Sequence, residues 1–277
     1  MSKPLISVVV PSFNSEKFVE ETLLSVEQSM HPNVEYIFID GGSTDRTMVI
    51  VERYAHLFAH VISEPDKGQS DAFNKGFKLA QGEYLTWLNS DDVFCADAID
   101  RIVDYIHKTR KLWYAANMLY INSDSEVLRC CKSGSFERWA MSFGILNVFG
   151  PSTILHRDLF TRFGDFNEDF HYCMDTEYWW RIASAGITYS RAPIYLWALR
   201  LHDDAKTASA ITGEFNKRPK GMQEEGALLM KKYYPKRTNF RFKLGIFLVR
   251  LHRLLNGSYC VGIFDSFKHK GKNVFSV

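Results

Sequence analysis

The chain has 277 residues, of which 46% are hydrophobic and 24% charged; this is the profile of an ordinary globular protein and excludes disorder as a starting point. That length suits one large α/β domain with an appendage, or two small domains. The formal net charge of +2 hides a division: residues 1–199 carry 18 Lys/Arg against 26 Asp/Glu, whereas residues 200–277 carry 16 against 6. An acidic body with a basic tail suits a partner that is nucleic acid, anionic lipid or a phosphorylated substrate.

The elements follow in chain order. Near the N-terminus one lysine precedes a six-residue apolar run that ends at Pro11. A secretory segment would be longer and would end near small residues, so residues 5–10 are expected to form a strand, buried on both faces in a parallel sheet. Ser15 is placed to cap a helix carrying Phe18, Val19, Leu23, Val26 and Met30. Residues 34–39 read as a second buried strand ending at Asp40. The turn Gly41-Gly42-Ser43-Thr44-Asp45 caps a helix that runs to about residue 54. Residues 58–63 form a third strand, 69–80 a helix, and 84–88 a fourth strand closed by Asn89-Ser90-Asp91-Asp92. A further helix covers about residues 96–108. Strands alternating with such helices predict βαβ units and a mostly parallel, Rossmann-like central sheet flanked by helices. Such sheets bind ligands at the carboxyl ends of their strands. The polar clusters at residues 11–14, 40–45, 64–68 and 89–92 all fall there.

Beyond about residue 110 the alternation changes. Residues 112–120 and 127–131 predict a hairpin around Asn122-Ser123-Asp124-Ser125. Residues 143–155 read as irregular, and 175–185 as a helix with a Trp179-Trp180 pair, ended by Gly186. From about residue 206 the chain is helical and basic. No uncharged apolar stretch approaches the roughly 20 residues of a spanning helix. The five cysteines, Cys95, Cys130, Cys131, Cys173 and Cys260, are odd in number and form no C-x-x-C pair. That argues against a disulfide framework or zinc site and points to a reducing, cytoplasmic compartment.

Two adjacent aspartates at a strand mouth, Asp91 and Asp92, repel each other unless a cation sits between them and a substrate. Hard carboxylate oxygens select Mg²⁺ or Mn²⁺, which keep waters and also take phosphate oxygens. The competing reading is that one of the pair caps the next helix. Asp40, at a neighbouring strand end before two glycines, can accept a nucleobase N–H; the competing reading is a turn aspartate.

Five segments, in order and spacing, carry a resemblance: Ser7-Val8-Val9-Val10-Pro11-Ser12-Phe13-Asn14, Ile39-Asp40-Gly41-Gly42-Ser43-Thr44-Asp45, Asp71-Ala72-Phe73-Asn74-Lys75-Gly76, Gly82-Glu83-Tyr84 and Leu88-Asn89-Ser90-Asp91-Asp92. Together they resemble the successive motifs of family 2 glycosyltransferases, whose fold is GT-A. Met174-Asp175-Thr176-Glu177-Tyr178-Trp179-Trp180-Arg181 is similar to the family's acidic catalytic segment, although many members carry Glu where Met174 stands. The resemblance covers about residues 5–205. It implies that Pro11, Ser12, Phe13, Asn14 and Asp40 grip the nucleotide, usually uridine, and that Asp71 faces the nucleotide and sugar. Asp91 and Asp92 match the family's D-x-D-like pair, with Asp92 the metal ligand and Asp91 beside nucleotide or metal; Ser90 stands where an aspartate is usual.

On this reading the reaction is an inverting transfer. A carboxylate deprotonates the acceptor hydroxyl while a metal neutralises charge on the leaving diphosphate. Asp175, opening a helix whose dipole favours an ionised carboxylate, is the expected base, with Glu177 the alternative. His202 would complete the metal shell, and Arg200 or Lys206 would pair with the diphosphate. Trp179 and Trp180 are expected to divide between core and sugar site. Pro151 and Ser152 lie where the resemblance places acceptor contacts.

The resemblance implies a catalytic domain over residues 1–205, its nucleotide half about 1–110 and its acceptor half about 111–205. Residues 206–277 form a helical basic extension. Residues 240–255 mix apolar and basic side chains at helical spacing, as in a helix lying in a membrane interface. That suits a glycan or lipid-linked glycan acceptor at the inner face of the cytoplasmic membrane, and no nucleic-acid motif accompanies the charge. Two other classes compete. A nucleotidyltransferase would carry a glycine- and lysine-rich loop where Pro11-Ser12-Phe13-Asn14 stands. A non-catalytic nucleotide- or glycan-binding relative would have no need to keep Asp40, Asp91, Asp92 and Asp175 together.

Overall fold

The computed structural model describes residues 2–146, 148, 150, 152–202, 205, 219–235, 238–255 and 258–276, with residues 258–260 described by their backbone. The first apolar run forms β1 (Ile6–Ser12), in which every residue is buried. Its side chains alternate between two cores: Val8 and Val10 pack with Val19, Leu23 and Val26, while Val9 packs with Ile37, Ala72 and Phe73. This two-residue period is that of a strand with helices on both faces.

One of those helices is α1 (Val19–Gln28), the other α3 (Gln69–Leu79). Gly76 lets α3 lie directly on β1, since a Cβ there would sit 2.5 Å from a Val9 methyl. Between these helices come β2 (Val34–Asp40), the short α2 (Thr47–Glu52) and β3 (His60–Ser63). The predicted cap of α1 by Ser15 does not form. The Ser15 carbonyl accepts the Phe18 and Val19 N–H groups, and its hydroxyl instead meets Ser90 at 2.7 Å. Asp45 does cap α2, accepting the Thr47 N–H at 2.9 Å.

The chain continues through β4 (Tyr84–Trp87), β5 (Val93–Phe94) and α4 (Ala98–Thr109). The predicted hairpin follows as β6 (Trp113–Ile121) and β7 (Val127–Cys131), paired antiparallel. Next come α5 (Arg138–Met141), β8 (Thr153–His156), α6 (Arg157–Phe163), α7 (Met174–Ser184) and β9 (Ser190–Arg200). The sheet runs β3-β2-β1-β4-β8-β6-β9-β5, with β7 also on β6. Strands β1–β4, β6 and β9 point one way, and β5, β7 and β8 oppose them, so the sheet is mostly parallel.

Three of these strands escape a reading by pattern. β5 has two residues and β8 four, too few for a period. β9 contains Pro193, which lacks an N–H; the register with β6 shifts beside it, between Ala116 and Met118. Where it is described the basic tail is helical: α8 (Lys220–Tyr233), α9 (Asn239–Leu255) and α10 (Ser258–His269); residues 206–218, also expected to be helical, lie outside the described residues. Among the described residues no helix is long and apolar enough to cross a membrane. Cys95, Cys130 and Cys131 are buried and form no disulfide.

Candidate functional site

Ser12, Asp40 and Ser63 are register partners at the ends of β1, β2 and β3, so the loops that follow share one edge of the sheet. A cleft of about 540 Å³ opens there, lined by Pro11, Ser12, Phe13 and Asn14 from the β1 end and by Asn89, Ser90, Asp91 and Asp92 from the β4 end. Asn14 ties the rim together: its backbone N–H donates to the Ser43 hydroxyl at 2.8 Å and its side-chain amide oxygen accepts the Thr44 N–H at 2.9 Å. Its φ of +48° lies in the left-handed region that asparagine tolerates. Phe13, 61% exposed, offers an aromatic face at the cleft. The Ser12 hydroxyl is buried and has no hydrogen-bond partner among the described residues.

Asp40 is fully buried and does not line this cleft. Its carboxylate accepts the Gly42 and Ser43 N–H groups at 3.1 and 2.9 Å, the Ser63 hydroxyl at 2.7 Å, and the Ser43 hydroxyl. Four donors from its own turn and the next strand make it the knot of the rim. The carboxylate that does line the cleft beside Gly41 is Asp66, which the sequence did not single out. Asp71 also lies off the cleft, accepting the Lys67 N–H at 3.0 Å and pairing with Lys75.

The pair at the β4 end splits. Asp92 is buried, accepting the Arg200 N–H at 2.8 Å and the Asn89 amide at 2.9 Å. Burial, and then the neighbouring Asp91 carboxylate, push its carboxyl well above the usual range. Asp91 is partly exposed in the cleft, with an oxygen 3.1 Å from His202 Nε2. Both residues line the cleft, and Asp91 is the more exposed of the two.

Arg200, the expected diphosphate partner, lines the cleft but has its guanidinium engaged by the protein. All three guanidinium nitrogens donate to protein oxygens: Nε to the Asp91 carbonyl, Nη1 to the Asn122 and Ser123 carbonyls and the Ser125 hydroxyl, and Nη2 to Glu21 at 2.7 Å. The group also lies 4.8 Å from the Phe18 ring centroid. A side chain so engaged is a buried clamp, gripping the Asp91-Asp92 turn by both its backbone and its guanidinium. Lys17, which was not expected, lines the cleft near the same ring.

Asp175 stands in the first turn of α7, partly exposed as a residue but with its carboxyl enclosed. Burial pushes it up to about 6, against hydrogen bonds from Thr176 that lower it. Desolvation thus outweighs the dipole effect expected from the helix start. The carboxylate is not part of the cleft lining; a Cβ on Gly150 would lie 3.7 Å from it. Glu177 is buried and committed. It pairs with Arg181, with Lys232 at 3.1 Å and with the Tyr233 hydroxyl at 2.8 Å. Burial alone would raise its carboxyl, but Arg181, Tyr233 and Lys232 hold it below the usual range.

Both tryptophans are buried, contrary to a division between core and cleft. Trp179 joins the core with Phe73 and Trp87, and Trp180 stacks on Tyr233 at 6.2 Å between ring centroids. Ser152 is buried beside β8, its carbonyl accepting the Ala116 N–H at 2.7 Å. Pro151 and Lys206 lie outside the described residues. A contribution with no sequence signal comes from Glu225 on α8. Its carboxylate accepts the N–H groups of His171, Tyr172 and Cys173 at 2.8 to 2.9 Å, just before the helix that carries Asp175.

The sequence profile described as Glycosyl transferase family 2 matches residues 7–161. The chain belongs to that family. A putative teichuronic acid biosynthesis glycosyltransferase, TuaG of Bacillus subtilis, is 36% identical over 107 residues, which span 38% of this chain and 42% of that relative. Among solved structures, Staphylococcus aureus TarS 1–349 in complex with UDP-GlcNAc superposes with a TM-score of 0.61 at 18% identity, over 82% of this chain and 71% of that one. The mannosyltransferase PcManGT of Pyrobaculum calidifontis, in complex with GDP-Man and Mn²⁺, has a TM-score of 0.56 at 15% identity, over 97% and 83%. At these identities the likeness is one of fold: the mixed α/β, GT-A-type architecture.

As a family 2 glycosyltransferase the chain would take a divalent metal, and the residues present fit one. Asp91 and His202 offer a carboxylate and an imidazole side by side, and His202 Nδ1 is buried without a partner among the described residues. Beneath them Asp92 is pushed toward its protonated form by burial and by Asp91, a burden that a cation would relieve. Among the described residues no three His, Cys, Asp or Glu side chains converge into a complete cage. Phosphate oxygens and waters would fill the remaining positions, as is usual for Mg²⁺ and Mn²⁺.

Proposed function

We propose that this enzyme transfers a sugar, with inversion, from a nucleotide sugar to a hydroxyl of a glycan or lipid-linked glycan during assembly of a surface polysaccharide. The observation that carries the reading is the cleft at the carboxyl ends of β1 and β4, where Asp91 and His202 meet across from Phe13 and Ser12. The UDP-GlcNAc in TarS supports a UDP-sugar as first choice, and the name of TuaG supports polysaccharide assembly.

In this reading the nucleobase lies against Phe13 and the loop that Asp40 knots, and Asp66 offers the nearby acceptor for a base N–H. A divalent cation held by Asp91 and His202 would neutralise charge on the diphosphate, and Lys17 adds a cation at the same wall. Asp175 accepts the proton of the acceptor hydroxyl. The acceptor oxygen bonds to the anomeric carbon from the face opposite the diphosphate, and the bond from that carbon to the diphosphate oxygen breaks, its electron pair leaving with the nucleoside diphosphate. Trp180 and Glu177 hold α7 against α8 and so position Asp175 without touching substrate. The expected division into a catalytic body over residues 1–205 and a C-terminal extension remains part of this reading, with α8 as the piece of the extension that braces the catalytic helix. The tail faces a membrane at the cytoplasmic side, where a lipid-linked acceptor would sit.

Metal-dependent hydrolysis of UDP-sugars and GDP-mannose in the absence of acceptor tests the reading, because water then replaces the acceptor. We expect release of free nucleoside diphosphate that requires Mn²⁺ or Mg²⁺ and is abolished by Asp91→Ala. A folded protein that neither hydrolyses nor binds any nucleotide sugar at saturating metal would leave a non-catalytic relative as the better reading.

A further inference from the structure

The C-terminal helices turn an apolar face outward, opposite the face by which they dock. On α9, Phe240, Leu244, Phe247, Leu251 and Leu254 are all exposed, Phe240 by 75% and Phe247 by 60%. At 3.6 residues per turn these positions fall in one stripe about 80° wide. Gly245 and Val249, on the opposite side, are the buried positions, and Gly245 leaves no room for a Cβ against Phe143. The same holds on α10. Phe264 and Phe267 are 77% and 81% exposed, while Ser266, around the helix, accepts the Cys130 N–H at 3.0 Å. A solvated surface helix would carry these residues the other way round, with its apolar stripe inward. Two packed helices that each leave large apolar side chains exposed mark an interaction surface.

Charge decides what covers it. Residues 239–272 contain Arg241, Lys243, Arg250, Arg253, Lys268, Lys270 and Lys272 against a single acid, Asp265. That acid is already spent on the body, bonding Tyr195 at 2.7 Å and Lys132 at 2.9 Å. Lys243 and Arg250 flank the α9 stripe on one side and Arg241 on the other, and all three are exposed. A second copy packed stripe to stripe would bring the same cations against them without an acid to answer. A surface of anionic phospholipid answers both features, taking the phenylalanines and leucines into the acyl boundary and the lysines and arginines at the phosphates.

We infer that α9 and α10 form a two-helix face that lies in the interface of an anionic membrane, with Phe240, Phe247, Phe264 and Phe267 as its anchors. This deepens the reading of a membrane-borne acceptor and takes its purpose from it, but its test needs neither donor nor acceptor. The full chain is sedimented with vesicles of phosphatidylcholine alone and with vesicles containing about 30% phosphatidylglycerol, at low and high salt. Its Phe247→Ser/Phe264→Ser/Phe267→Ser variant is run in parallel; these side chains are exposed, so the fold does not depend on them. We expect binding to the anionic vesicles, weakening with salt, and at least about tenfold weaker binding by the variant. A chain that stays in the supernatant with anionic vesicles would overturn the inference, as would a variant that binds as well as the original. So would self-association of the original that the variant loses, seen by sedimentation velocity without lipid, because the stripe would then serve a second copy. Donor hydrolysis by the same preparations keeps the two readings apart: if hydrolysis persists while vesicle binding fails, only the membrane face is wrong.

Discussion

A carboxylate at residue 175 sits where burial holds it near neutrality, and that is what a proton acceptor working close to pH 7 requires. With its carboxyl pushed up to about 6, kcat/KM for transfer is expected to rise with pH to a plateau above that value. Asp175→Asn should lower kcat by about 10²–10⁴-fold in a folded protein. The stability sign is opposite. A carboxyl raised in the folded state binds a proton there that the unfolded chain has already released, so folding loses stability as pH rises from the usual carboxylate range through about 6. Calorimetry at pH 8 should therefore find Asp175→Asn with a higher Tm than the original chain, an advantage that disappears near pH 4. Arg200 makes a contrasting case. If it served the diphosphate, its removal would raise KM and spare the fold. As a buried clamp between Glu21, Ser125 and the Asp91-Asp92 turn, its replacement in Arg200→Met strands Glu21 and is expected to cost about 3–5 kcal/mol in denaturant unfolding.

Among the elements, α7 matters most to the proposed chemistry, and its placement depends on α8 from the basic tail. Glu225 satisfies three backbone N–H groups ahead of α7, while Lys232 and Tyr233 reach Glu177 one turn further on. Glu225→Gln weakens the charge-assisted bonds, so a loss of about 1–3 kcal/mol and a fall in kcat are expected together. Glu224→Gln, on the exposed side of the same helix, should change neither, and steady-state kinetics with urea unfolding checks both. On the same face of the sheet as α7, Gly76→Ala would force α3 away from Val9, and unfolding should show a loss of about 1–3 kcal/mol from overpacking. Residues 5–10, 34–39 and 84–88 were legible because each is a mainly apolar run, the mark of a strand buried on both faces. β5, β8 and β9 were not, being too short or interrupted by Pro193; β8 and β9 become strands because β6 offers them its two edges, and β5 then pairs with β9.

For the molecule as a whole, the mostly parallel sheet gathers four loops along one edge, and the proposed donor site is the product of that gathering. A ligand that binds the native state alone stabilises it by about 2.7 kcal/mol at a hundred times its Kd. We expect UDP with Mn²⁺ to raise the Tm, and Asp91→Ala or His202→Ala to abolish the shift while leaving the unliganded Tm near its original value. Asp40→Ala should act differently, lowering the unliganded Tm as well, because it unties four hydrogen bonds of the rim.

The sequence by itself determined the family, the βαβ order of the first half and the strand ends where polar residues crowd, because local apolar runs and turn residues are written in consecutive positions. It also showed the charge division and the helical tail. Only the tertiary structure decided which of these polar residues face the cleft. It left Asp91 more exposed at the cleft than Asp92, committed Asp40, Glu177 and Arg200 to their neighbours, and brought Glu225 to the start of α7 from about 50 positions away in the chain. Which side chain is saturated and which is left open depends on donors arriving from distant segments, and no local pattern carries that information.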